Sequence, residues 1–293
     1  MIMNIISAIT LIFLFSFGSE KIENIPLSEP LGISSDVQGN IYIADTGNNR
    51  ILKFDENGLF LKSIGGFGWE NQQFDMPLDV YAKSVLDVFV ADYNNHRIER
   101  YDKDLNYIST LSSDETKSED LRFGYPRSVA ISIHGELTLI DGENNRVLKI
   151  DSFGEPELSF GTFADGRGKL DEPIQIDISR DERIYVSDKA GKRIVVYDYF
   201  GNYLSEIGTG VLEEPQGLFI DLNNRLWIAD PGRGEIFTFS AEGELMFRTD
   251  ATEQGNGKLE RPVDVAVTAN KLYVIDNNIV NVAEIREFHE SGE

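Results

Sequence analysis

An aspartate followed five residues later by an arginine occurs four times in this chain, as Asp45 and Arg50, Asp92 and Arg97, Asp141 and Arg146, and Asp188 and Arg193. An acid beside a base can polarise a bond or relay a proton. A reacting centre is one place, whereas a pair repeated in register suits an ion pair or turn cap across a hairpin. Asp55, Asp102, Asp151 and Asp198 read in the same way, as turn formers. Zinc chemistry has little to build on, because His96, His134 and His289 show no H-x-x-x-H spacing. The chain has no G-x-S-x-G elbow, and GGFG lacks the lysine and following helix that phosphate binding needs. With no cysteine there is no thiol nucleophile, thiolate metal site or disulfide.

These residues belong to a chain of 293, of which 41% are hydrophobic and 26% charged, a water-soluble globular composition. Fifty Asp and Glu against 27 Lys and Arg give a net charge of −23. A phosphate backbone repels such a surface, so nucleic acid is not an expected partner.

The candidate residues are positioned by a repeat. Pro30, Pro77, Pro126, Pro173, Pro215 and Pro262 follow one another at intervals of 42 to 49 residues. An apolar residue stands three before each proline (Leu27, Phe74, Phe123, Leu170, Leu212, Leu259) and another three after it. The runs IYIAD, VFVAD, LTLID, IYVSD, LWIAD and LYVID each end in the aspartate of the repeat. They are too short for helices and apolar on both faces, which predicts strands packed between two other sheets. With a flanking strand before and two after, each unit makes four antiparallel strands. Six such units predict an all-β fold, a six-bladed β-propeller.

The ends bear on closure. The last unit has no room for a fourth strand, and Ile22 and Leu27 sit at the same offsets from their proline as Ile207 and Leu212. Residues near Glu20 to Asn24 are therefore expected to complete blade six; otherwise two sheet edges would stay open. Met1 to Gly18, with its apolar run Ile5 to Phe17, reads as a signal peptide cut before Ser19, or alternatively as an N-terminal membrane anchor. That leaves 19–293 as the propeller, secreted or periplasmic, with no membrane span after the signal is removed.

The unit from Pro30 to Gly58, with ADTGNNRILKFDENG at its centre, resembles the NHL repeat, and ADYNNHRIERYD and DGENNRVLKID repeat the likeness. Glu235 and Asn281 depart from it where the other blades have arginine. The resemblance implies a ring-shaped binding module for proteins, peptides, carbohydrates or, in some animal members, RNA, and no single activity.

Function is expected where blades differ. The loops leading into each first strand are long and unequal, and Phe67, Trp69, Tyr93, His96, Tyr125 and Phe163 are aromatics or histidine outside the repeat on that face. Two residues after each proline, at the channel mouth, stand Gly32, Asp79, Ser128, Gln175, Gly217 and Asp264. Asp79 and Asp264 could hold calcium or another divalent cation, as metals sit in enzymatic six-bladed propellers, or they could hydrogen-bond loop backbone. The first possibility leads to a metal-dependent hydrolase, lactonase or lyase. The preferred expectation is a noncatalytic binding or scaffold module without a cofactor, holding a protein, peptide or glycan on its long-loop face.

Overall fold

Every residue of the run Ile41–Asp45 is buried, and the same holds for Leu137–Asp141, Ile184–Asp188 and Leu226–Asp230. A strand apolar on both faces needs a sheet against each, and the ring of blades supplies them. In the computed structural model, which describes residues 11–14, 17–113, 122–152, 154–249 and 259–289, six four-stranded antiparallel sheets surround one axis. The strands at 11–14, 17–21 and 286–289 are described by backbone alone.

Blade one comprises Gly32–Ser35, Ile41–Asp45, Arg50–Phe54 and Phe60–Gly65, paired in chain order from the axis outward. Blades two to five follow the same plan, with first strands Pro77–Tyr81, Pro126–Ile131, Pro173–Ile178 and Leu218–Ile220. Blade six has Pro262–Val267, Lys271–Asp276 and Ile279–Glu284 in order, and its outer strand is Phe17–Lys21, with Phe17 opposite Ala283 and Lys21 opposite Asn281. The N-terminal strand thus closes the ring as expected, about three residues earlier in the chain. Ile22 and Ile25 then pack on the core shared by blades five, six and one, and the Glu23 amide donates to Gly58 O at 2.7 Å as the chain passes into blade one. The boundary expected before Ser19 falls inside the closing strand. A separate two-stranded sheet, absent from the sequence reading, pairs Leu11–Leu14 with Arg286–His289.

The core lies between blades. Tyr42, Phe89, Tyr185, Trp227 and Tyr273, at one repeat position, are all buried. Each such ring contributes about 1.5–3 kcal/mol by leaving water. Tyr42 also joins blades one and two, because its hydroxyl donates to Lys103 O at 3.0 Å.

Candidate functional site

The six repeated aspartates knot loops. Each accepts the amide of a residue 15 to 17 positions earlier, as Ser28 N does to Asp45 at 2.7 Å and Arg261 N to Asp276 at 2.6 Å. The arginine five later adds a second tie where present. Arg50 Nε lies 2.6 Å from Asp45 and its Nη2 donates to Pro26 O; Arg146 and Arg193 repeat this with Arg122 O and Lys169 O. Asp230 and Asp276 hold their loops although Glu235 and Asn281 replace the arginine, so the aspartate is the necessary half. The turn aspartates act as expected: Asp55 accepts Asn57 N and Leu59 N, and Asp102 accepts Asp104 N and Asn106 N.

The residues two after each proline form the seam between neighbouring first strands. Asp79 Oδ2 accepts the Ser128 hydroxyl at 2.6 Å and Val129 N at 3.1 Å in blade three. Ser128 Oγ in turn accepts Ile176 N at 3.1 Å, Gln175 Oε1 accepts Leu218 N, and Asp264 Oδ2 accepts Ile33 N at 2.7 Å. At the two remaining seams the residue is glycine, and an aspartate follows in the next blade. A β-carbon on Gly32 would lie 2.9 Å from Asp79 Cα, and one on Gly217 would lie 2.4 Å from Asp264 Cα. Glycine admits that approach, and the aspartate caps the amide that the glycine leaves bare: Val265 N donates to Asp264 Oδ1 at 2.8 Å, and Val80 N donates to Asp79. The two glycine–aspartate couples thus explain the acidic residues of the ring.

Asp79 and Asp264 do not fit a divalent ion. Calcium takes about six to eight oxygens with lone pairs directed at it, whereas these oxygens face N–H and O–H donors, Gln175 Nε2 at 3.2 Å from Asp264 included. Among the described residues no three His, Asp or Glu converge to hold a metal. Burial pushes the Asp79 carboxyl up to about 6 and raises Asp264 well above the usual range, with the charge of Asp79 adding to the latter.

The residues one earlier, Leu31, Leu78, Arg127, Ile174, Gln216 and Val263, each immediately after its proline, line the mouth as well. With Met76, Tyr93, Glu172 and Lys189 they bound a cavity of about 280 Å³, which Asp79, Ser128, Gln175 and Gly217 of the seam also line. This ring was open to the same repeat register, but its mixed residue types give no pattern that marks it. Lys189 is neutralised by Glu214 at 3.3 Å and Glu172 at 3.6 Å. Arg127 has no acidic partner among the described residues, and its Nε is buried without an acceptor.

The expected contact residues divide into groups. Tyr93, His96 and Tyr125 come together: the Tyr125 ring centroid is 4.1 Å from His96 and 5.1 Å from Tyr93, and the Arg127 guanidinium sits 5.9 Å over Tyr93. Phe67 and Trp69 stand out into solvent, 70% and 73% exposed, on a loop stitched to the same turn by Asn95 Nδ2 to Gly68 O at 2.9 Å. Phe163 is 86% exposed in another blade, with the Lys169 ammonium 5.6 Å from its ring. Residues 114–121 and 250–258, within two of the long loops, lie outside the described residues.

The NHL repeat family profile matches residues 27–54, so the chain carries the repeat its sequence suggested. Protein brain tumor of Drosophila melanogaster is 26% identical over 129 residues, 43% of this chain and 12% of that protein. E3 ubiquitin-protein ligase NHLRC1 of Homo sapiens is 28% identical over 137 residues, 46% and 33% respectively. The chain therefore matches a third or less of the length of these relatives. In three dimensions it is similar to a streptogramin B lyase (TM-score 0.64, 16% identity, covering 96% of this chain and 88% of that one). A gluconolactonase from Xanthomonas campestris aligns with TM-score 0.66 and 14% identity, over 89% and 87% of the two chains. At those identities the likeness is one of fold alone.

Proposed function

We propose that this NHL-repeat propeller is a noncatalytic binding module that holds a protein or peptide on its long-loop face. The observation that carries the reading is a rigid loop with exposed rings. The Arg97 guanidinium donates to Trp69 O, Glu70 O and Gln73 O, at 2.8, 3.0 and 2.7 Å, and is itself held by Asp92 at 2.8 Å. Phe67 bridges to Phe74, Gly68 N donates to Phe74 O, and Gln72 N to Glu99. A backbone fixed this firmly, with Phe74 buried beneath it while Phe67 and Trp69 face water, is what an interface anchor requires. The metal-dependent alternative loses its ligands to the blade seams, and a relative named as an E3 ubiquitin-protein ligase belongs to a class that works on proteins.

The test is capture of a binding partner by the intact chain and by a Phe67→Ala, Trp69→Ala double variant. Loss of the captured protein with unchanged melting supports the reading; equal capture overturns it. Export to a secreted or periplasmic location is part of the proposal and rests on the apolar residues before Ser19; mass spectrometry of the mature N-terminus tests it separately.

A further inference from the structure

Resting on the binding-module reading, we propose that the channel mouth is a pocket for the C-terminal residue of a peptide, with an apolar side chain in the cup and the free carboxylate on Arg127. Three observations meet there. The walls supplied by Leu31, Leu78, Ile174 and Val263 are apolar, while Arg127 and Gln216 from the same ring position are the polar exceptions. The cavity of about 280 Å³ falls just below the usual ~300–1,000 Å³ of small-molecule sites, room for one apolar residue and its carboxylate.

Arg127 is the unmatched charge. In a chain of net charge −23, the other cation of the mouth, Lys189, is spent on two glutamates, whereas Arg127 has no carboxylate among the described residues and a buried Nε without an acceptor. The Nε is enclosed by the fold, but the residue as a whole is only half-buried, and the terminal Nη1 and Nη2 of a planar guanidinium pair well with a carboxylate through two parallel bonds. Its placement is built in: the side chain passes over Gly142, where a β-carbon would lie 3.1 Å from both Cγ and Nε of Arg127. The glycine keeps that lane open. Of the acidic groups that line the cavity, Glu172 is paired with Lys189 at 3.6 Å and Asp79 is engaged by the Ser128 hydroxyl and Val129 N, and exposed charges beyond a Debye length of about 8 Å are screened at physiological salt.

The pocket also has an exit. Arg127 lies over Tyr93, Tyr93 against Tyr125, and Tyr125 against His96, while Asn95 ties this turn to the loop of Phe67 and Trp69. A peptide anchored by its last residue would run outward along these rings to the exposed pair. That continuity favours a peptide terminus over a free carboxylic acid.

The probes are acetyl-Ala-Ala-Ala-Leu with a free carboxylate, the same peptide as its carboxamide, and N-acetyl-leucine, titrated against the full chain by ligand-observed NMR up to millimolar concentration. The free-acid peptide is expected to bind about tenfold or more tightly than the carboxamide, and more tightly than N-acetyl-leucine. Arg127→Gln should bring the acid-to-amide ratio near one with melting unchanged, and Arg127→Lys should keep part of it. Leu31→Trp, at a partly exposed position on the rim, should block all three probes. A ratio near one in the parent protein, a ratio untouched by Arg127→Gln, or no binding by any probe overturns the proposal; N-acetyl-leucine equal to the peptide overturns its peptide part. If Arg127→Gln still captures the protein partner that the Phe67, Trp69 double variant loses, the pocket assignment fails and the binding face stands.

Discussion

Lys83 of blade two reaches Asp177 of blade four, with Nζ 2.5 Å from Oδ2, and the same ammonium donates to Ile220 O of blade five at 2.8 Å. Blade two neighbours neither of the other two, so the contact passes through the axis and braces the ring from within. Asp177 also accepts Ile220 N at 2.7 Å and is almost wholly buried. Gln175 Nε2 makes a second cross-channel bond, to Asp264, nearer the mouth.

Removing Lys83 should cost more than removing the pair. Lys83→Met leaves the Asp177 carboxylate buried without its counter-charge, a loss of about 3 kcal/mol, whereas Lys83→Met with Asp177→Asn leaves no bare charge. Urea unfolding at pH 7 is expected to rank the single variant below the double. The reverse order would show that the brace carries no charge-dependent stability.

Asp79 should make the folded protein more stable toward mild acid. Its folded pKa is raised to about 6 from an ordinary value near 4, so between those values the native state binds more protons than the unfolded chain and stability falls as pH rises. Asp264 acts in the same direction. Asp79→Asn keeps an oxygen for Val129 N and removes the titration, so the midpoint of unfolding should change less between pH 4.5 and 6.5 than in the parent protein. Asp79→Ala should instead lose about 1–3 kcal/mol at both pH values, through the uncapped amide. An identical pH slope in Asp79→Asn and the parent would refute the assignment.

The architecture was legible because proline and aspartate recur at one register and the aspartate holds a backbone amide in every blade, as Asp45 does Ser28 N and Asp276 does Arg261 N. The closing strand was misplaced by about three residues because Ile22, which shares its offset with Ile207, was put in the middle of the strand, whereas Ile207 ends Tyr203–Ile207 and the closing strand Phe17–Lys21 ends just before Ile22. Asp79 and Asp264 were found as a pair, but their purpose depends on Gly32 and Gly217 in the preceding blades, a relationship across space that spacing does not reveal. Lys83 replaces the turn residue that the other blades have as Asp36, Ser132, Ser179, Asp221 and Thr268, and Arg127 differs from its five counterparts in type; both are exceptions to the repeat, but a single cation in either register gives no sign of what it meets in space. Tyr93, His96 and Tyr125 were recognisable as exceptions to the repeat; that they touch follows from adjacent blades bringing their turns together.

Gly217→Ala should strain the seam between blades five and six. The added methyl would lie 2.4 Å from Asp264 Cα and 2.8 Å from Val263 O, backbone atoms that cannot yield separately. Overpacking of this kind costs about 1–3 kcal/mol or more, and because Asp264 also caps Ile33 N, faster hydrogen exchange is expected at Ile33 in blade one. Parent-like melting together with unchanged exchange at Ile33 would contradict the close approach.

Arg97→Lys should loosen the aromatic loop without dismantling blade two. Lysine keeps the charge beside Asp92 but cannot serve the carbonyls of Trp69, Glu70 and Gln73 from one planar group. Losing two of these bonds removes roughly 1–3 kcal/mol of local stability, so the amides of Gly68 and Phe74 should exchange about tenfold or more faster. Arg50→Lys is the comparison, since Arg50 Nη2 donates to the Pro26 carbonyl alone. Partner capture should fall in Arg97→Lys and persist in Arg50→Lys if the fixed presentation of Phe67 and Trp69 is what binds; equal capture by both would mean that these rings do not need a rigid loop.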